Sequence, residues 1–425
     1  MSAIGTFDNA LVARNAGVTL LKEAARRLFH VLVALWIFAG AFVFIEPSPY
    51  EVAFLGVLAI ALVSGFALYR STLGLLFIFV AFVPFGLISV FQVQRTPLSD
   101  ALIFVGVTYF LLLTSYFVAN YVADRPIRNM RIIMAAYTAA ALVSSAVGLL
   151  AYLGLLPGAE LFLLYGRARA MFNDPNVYGP FLILPAMYAL QRALLLTGRS
   201  AIFASAVYLA LFVGVFVSFS RAAWGHFAGS SLLVLLLCFF LLAKAQDKVR
   251  ILILSLAGVA ALMVVLVGLL SIPAVAELFE VRTEAQNYDS GETGRFGRQG
   301  FAFELALQNP LGIGPLEFRH GPIIEEPHNT YVSVLHVYGW GGGLLYYAFV
   351  GATLWMSWAS LARPSPLRPL MIPLTATYVM LIIEAGIIDT DHWRHYFLVA
   401  GLIWGVNTAI RYGPGALSNP KAAIV

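Results

Sequence analysis

Twelve apolar runs, each long enough to cross a bilayer as a helix, follow one another along the chain and leave room for little else. They fall near residues 28–46, 50–69, 71–91, 100–121, 130–154, 176–196, 200–219, 222–243, 249–270, 329–358, 367–388 and 394–411. A spanning helix needs about 20 apolar residues, and inside the hydrocarbon every backbone polar group must be paired within the segment. The expectation is an all-α integral membrane protein with about 12 transmembrane helices. Charge agrees: only 11% of the residues are charged, against about a quarter in soluble domains.

The runs divide the chain into an N-terminal segment 1–27, nine helices over 28–270, a polar insertion 271–328, three helices over 329–411 and a tail 412–425. The N-terminal segment is polar and basic, reads as a short amphipathic surface helix or as disordered, and shows no cleavable signal. The tail from Gly413 reads as disordered. The run 176–196 holds Pro180 and Pro185, which membrane helices tolerate. The run 329–358 is too long for one straight span, so it is expected to bend near Gly339, Gly341, Gly342 and Gly343. Cys238 is the single cysteine, so an intramolecular disulfide is excluded.

Orientation follows from Lys and Arg. With the N-terminus inside, seventeen basic residues fall on the inner side and nine on the outer: Arg95, Arg167, Arg169, Arg221, Arg282, Arg295, Arg298, Arg319 and Arg394. This is the bias that the positive-inside rule requires. It accounts for the net charge of +5 without nucleic acid, places both termini in the cytoplasm and turns 271–328 outward. The outer arginines run against that bias. One alone reads as snorkelling to headgroups. Several, from separate segments on one side, suit bidentate recognition of a phosphate or diphosphate.

Four motifs carry chemistry. Arg167 and Arg169 precede Phe172-Asn173-Asp174-Pro175-Asn176, a turn and cap for the next helix, and point at an anion there. Ser218-Phe219-Ser220-Arg221 is a tight hairpin between two spans. Gly294-Arg295-Phe296-Gly297-Arg298-Gln299 opens a loop helix with an apolar stripe of Phe296, Gly300, Phe303 and Leu307, expected on the membrane surface or against the bundle. Asn309-Pro310-Leu311-Gly312-Ile313-Gly314 follows; it lacks the lysine of a nucleotide loop. Pro327-His328-Asn329 leads into the bent run, and a neutral imidazole at His328 is a candidate general base. His336 falls on a similar helix face, but no third ligand or zinc spacing exists, so neither metal nor other cofactor is expected.

In order and spacing these motifs resemble the O-antigen ligase and Wzy-type polysaccharide polymerase superfamily. Arg295 lies fifteen residues before Pro310, and His328-Asn329 is followed at the family's interval by Gly339 and Gly342. The resemblance covers roughly 160–345. It departs at Ala170, where the family often has glycine, and at Gln299, where it usually has tryptophan; Arg169 and Arg298 are additional.

The resemblance implies a GT-C-like membrane glycosyltransferase of the bacterial inner membrane, with the large, partly helical loop in the periplasm. The donor would be an undecaprenyl-diphosphate-linked glycan, and the acceptor hydroxyl would lie on a glycan or on lipid A–core. Membrane lipids and other polysaccharide-assembly proteins would be its partners. Arg167, Arg221 and Arg295 would stabilise the departing diphosphate, with Arg169 and Arg298 as lesser contributors. His328 would orient or deprotonate the acceptor hydroxyl, or a carboxylate such as Glu304, Glu317 or Glu325 would serve instead. Ligase and polymerase stay open. The alternative is a transporter such as a lipid-linked oligosaccharide flippase, which suits twelve spans; against it, ionisable residues avoid the span centres except at Glu384.

Overall fold

In a computed structural model, residues 23–44, 48–283, 291 and 294–412 are described. Each of the twelve apolar runs is helical: α1 (23–39), α2 (Pro49–Ser64), α3 (Leu73–Val90), α4 (Leu98–Asp124), α5 (Pro126–Tyr152), the broken pair α6 (Pro175–Phe181) and α7 (Ile183–Leu195), α8 (Gly198–Val217), α9 (Arg221–Leu241), α10 (Ala245–Leu270), then α13 (Thr330–Ala362), α14 (Arg368–Glu384) and α15 (Arg394–Tyr412). The insertion supplies α11 (Pro273–Thr283) and α12 (Arg295–Gln308). Among the described residues, seven helices are long and apolar enough by themselves to cross a membrane. The others are shorter, interrupted or richer in buried polar groups. The N-terminal and C-terminal segments, apart from residues at the bundle edge, lie outside the described residues, as do Glu284, Asp289 and Glu292.

α15 is the axis of the bundle, buried continuously from His395 to Ala409. It crosses α4 closely because Gly401 and Gly405 face the backbone of Ser115 and Ala119; a Cβ there would stand 2.5 and 2.7 Å from those carbonyl oxygens. α10 is the opposite case, a long apolar helix with Ile251 its one buried residue. So apolar a surface on an otherwise unburied helix is stable only in lipid.

The chain alternates between two ends of the bundle. At one end Asn120 accepts from Tyr69 N–H at 2.8 Å, Arg250 donates to Leu196 O, and Arg368 reaches Leu241 O. At the other end lie the insertion and the turns bearing Arg167, Arg221 and Arg394. There the carboxylate of Glu317 accepts from the N–H groups of Arg95 and Thr96, tying the insertion to the α3–α4 connection.

The expected bend of α13 occurs at Gly339, whose φ of 71° and ψ of −177° leave the helix. The Asn309–Gly314 turn fills the gap: Trp340 N–H donates to Pro310 O at 2.9 Å and Ile313 N–H to His336 O at 2.7 Å. A side chain on Gly339 would meet Pro310 O, and one on Gly312 would meet Val337 O. The glycines of these two motifs therefore form one interlock. Of the two placements expected for the apolar stripe of the loop helix α12, the outward one is observed, and the helix meets the bundle by another face. Its buried face is Arg298, Ala302 and Ala306, with Trp340 donating to Ala306 O, while Phe296, Phe303 and Leu307 face outward. Small residues allow the close packing; the larger ones are left for the surroundings.

Candidate active site

Arg167 is placed by a two-residue hairpin. Leu163–Leu164 pairs antiparallel with Arg167–Ala168, and both turn residues, Tyr165 and Gly166, have positive φ, as a type I′ turn demands. The guanidinium is then fixed from two sides: Nε donates to Ser218 O at 2.9 Å and Nη2 to Asn176 Oδ1 at 2.8 Å. Burial, with the charge of Arg282 nearby, lowers its pKa to about 10. Asn176 is itself placed by the predicted cap, Asp174 Oδ1 accepting from Asn176 N–H at 2.6 Å.

The Ser218–Arg221 hairpin turns through Phe219 at φ 48°, and Ser220 caps α9 by accepting from Ala223 N–H. Arg221 is the first residue of α9 and Arg295 the first of α12. The last turn of α11 adds Arg282, whose Nε donates to Phe219 O. Arg167, Arg221, Arg282 and Arg295 line one cavity of about 540 Å³, together with Glu325, His328 and Asp389. A second cavity of about 390 Å³ shares Arg221, Arg282 and Arg295 and continues between α9 and α14, past Gly225, Met380 and Ile383. Glu384 lines it too, held 2.6 Å from His226 in a fully buried pair.

His328 has φ 51°, in the left-handed region that non-glycine residues avoid. Its neighbours hold it there. Asn329 caps α13 through Tyr331 and Val332 N–H, Gln299 donates to His328 O at 3.3 Å, and Asn329 Nδ2 donates to Gln299 Oε1. Gln299, at the position where the resembling family has an aromatic residue, thus bridges α12 to the histidine. Thr330 N–H donates to Ala385 O and Thr390 N–H to Thr330 Oγ1, which draws the α14–α15 connection alongside. That connection delivers Asp389: Oδ2 lies 3.2 Å from His328 Nδ1, and Oδ1 accepts from Ser333 Oγ at 2.9 Å. With Asp389 accepting from Nδ1–H, the neutral ring offers its Nε2 lone pair to the cavity. The bond to Asp389, against the opposing effect of burial, raises the His328 pKa above 6.5.

Of the other expected residues, Arg169 uses its guanidinium on Asn173 O and Leu161 O, and Arg298 is buried in an ion pair with Glu325; neither lines the cavity. Glu325 does line it, 3.8 Å from His328 Nε2. Glu317 belongs to the clamp on Arg95 and Thr96, whose N–H donors hold its pKa below the usual value despite burial. Glu304 is exposed on α12, and His336 is buried against Phe318. Asp389 and Ser333 escaped the sequence reading, and Arg282, counted there among the outer arginines, was given no role in the site. Their one signal was the pair of carboxylates, Asp389 and Asp391, in a short connection between two apolar runs. Burial and then Asp389 raise both Asp391 and Glu326 to about 7.

Among the described residues the positive-φ positions other than glycine are Tyr165, Ala170, Phe219, Leu316 and His328, all in loops at this end of the bundle. Ala170 at φ 47° explains why glycine suits that position. Strain concentrated this way marks a site whose geometry is imposed by its surroundings.

Residues 204–347 match the family model described as O-antigen ligase. The match includes Arg221, Arg282, Arg295 and His328, while Arg167 precedes it and Asp389 follows it. No curated protein matches the chain.

Proposed function

We propose that this chain, whose residues 204–347 match the O-antigen ligase family model, transfers a glycan from a polyprenyl-diphosphate carrier, such as undecaprenyl diphosphate, to an acceptor hydroxyl. The observation that carries this is the single cavity in which four arginines face a histidine–aspartate pair. The acceptor oxygen attacks the anomeric carbon of the donor sugar, forming the new C–O bond as the bond to the diphosphate breaks. The diphosphate leaves with that electron pair, and the hydroxyl proton passes to Nε2 of His328, which Asp389 holds in the required tautomer. Guanidinium groups fixed around the departing oxygens stabilise the growing charge without having to reorganise. The second cavity suits the first isoprene units of the carrier, since it shares three of the arginines and continues past Met380, Ile383, Ile387 and Ile388, with the His226–Glu384 pair as its polar exception. The charge bias supports a site on the periplasmic face of the inner membrane, with both termini cytoplasmic.

The test is transfer by the purified protein from a polyprenyl-diphosphate-linked glycan. Arg295→Ala and His328→Ala are each expected to lower transfer by about 10²-fold or more while the proteins remain folded in detergent. Undiminished transfer by both variants defeats the assignment. Lipid flipping by a protein that transfers nothing would favour a transporter.

A further inference from the structure

A larger cavity, about 800 Å³, adjoins the arginine pocket, and Val177 and Trp393 line both. It runs down α4 from Asp100 to Leu111, beside α1, α2 and the start of α15. Its charge is opposite in character. The neighbouring pocket sets four arginines among three carboxylates, Asp174, Glu325 and Asp389, whereas this groove sets Arg394 and the imidazoles of His392 and His395 beside two carboxylates, Glu51 and Asp100. Arg394 Nε lies 2.8 Å from Glu51, whose other oxygen accepts from Ser48 N–H and Oγ at 2.6 Å, so the polar rim is preorganised. Below the rim the wall turns apolar and aromatic, with Phe104 and Phe110 on α4. An anionic head would face Asp100 and Glu51. Sugar hydroxyls would instead find two acceptors and a donor, with the Trp393 ring beside them.

We propose that this groove binds the acceptor, as an amphiphile whose head is an uncharged sugar and whose apolar part follows α4. This deepens the transferase reading and rests on it. The short segment 389–394 joins the two cavities: Asp389 backs His328 on one side, and Arg394 lines the groove on the other. A hydroxyl passing Trp393 therefore arrives at the candidate base.

The experiment uses the full chain in lipid nanodiscs and two photoreactive amphiphiles with the same dodecyl chain, one a maltoside and one a phosphate. A Cβ at Gly106 meets nothing within 4 Å, so Gly106→Ala fits the helix packing, and Gly106→Trp sets an indole at the same position of the groove lining. The maltoside is expected to label the α4 peptide; Gly106→Trp should lower that labelling at least tenfold and Gly106→Ala should not. The phosphate is expected to label peptides around Arg221 and Arg295, and Arg295→Ala should remove that labelling while sparing the maltoside's. Phosphate labelling of α4 as strong as the maltoside's, or maltoside labelling unchanged in Gly106→Trp, overturns the proposal. Maltoside labelling of α4 with no phosphate labelling of the arginine pocket overturns the donor reading and upholds the groove.

Discussion

His328 can take a proton only while its ring is neutral, and the bond to Asp389 raises the pH needed to keep it so. Below that raised pKa the imidazolium predominates, and transfer should fall about tenfold per pH unit. Asp389→Asn removes the largest cause of the shift. The acidic limb of the rate profile should therefore move to lower pH, while the plateau falls on the order of 10²-fold as the tautomer is no longer fixed. A profile of kcat against pH decides it; an unmoved limb would mean that His328 is not the titrating base. The arginines should divide by position. Arg221→Ala and Arg295→Ala each remove a donor from the cavity and should lower kcat by about 10²–10³. Arg169→Ala, which loses only contacts to Asn173 O and Leu161 O, should leave kcat near the native value. Arg167, Arg221, Arg295 and His328 were legible because each sits in a short motif at a turn. Asp389 was not, because nothing local distinguishes it: the pairing of Thr330 with Ala385 and Thr390 is what brings it to the histidine.

At the scale of elements, the bend of α13 and the cap of α6 could be read directly, since Gly339 and Asp174-Pro175 have few other uses in a helical chain. The burial of α12 could not. Periodicity selected its large apolar residues, but close approach to α13 favoured the alanines, and the buried Arg298, paired with the exposed Glu325, took a place that hydropathy assigns to the surface. Two substitutions separate these effects. Gly339→Ala forces a Cβ into φ 71° against Pro310 O and should destabilise the interlock by roughly 1–3 kcal/mol from backbone strain alone, with the clash in addition. Gly300→Ala on α12 meets nothing within 4 Å and should stabilise that helix by roughly 0.5–1 kcal/mol. Thermal unfolding of the detergent-solubilised protein reads the first, and hydrogen exchange in the α12 peptide reads the second. Equal responses would show that neither glycine is held by its backbone conformation.

Across the whole molecule the decisive quantity is which end faces the periplasm, because that settles which donors can reach the arginines. The two ends carry different charge: Arg125, Arg192, Arg199, Lys244 and Arg368 lie in or beside the turns at one end, and the cavity arginines at the other. Insertion bias would put the first set in the cytoplasm. Cys238 makes the question tractable, since it is the chain's one cysteine and is fully buried, so a membrane-impermeant maleimide has little background to overcome. Tyr165 at 87% and Ile324 at 78% exposure lie at the cavity end, and Arg199 is exposed at the other. In spheroplasts, Tyr165→Cys and Ile324→Cys should be labelled at once, and Arg199→Cys only after the membrane is broken. The reverse pattern would place the arginine pocket in the cytoplasm, where nucleotide-linked donors are present. The cavity geometry would then stand, but the polyprenyl-diphosphate donor on the outer face would not.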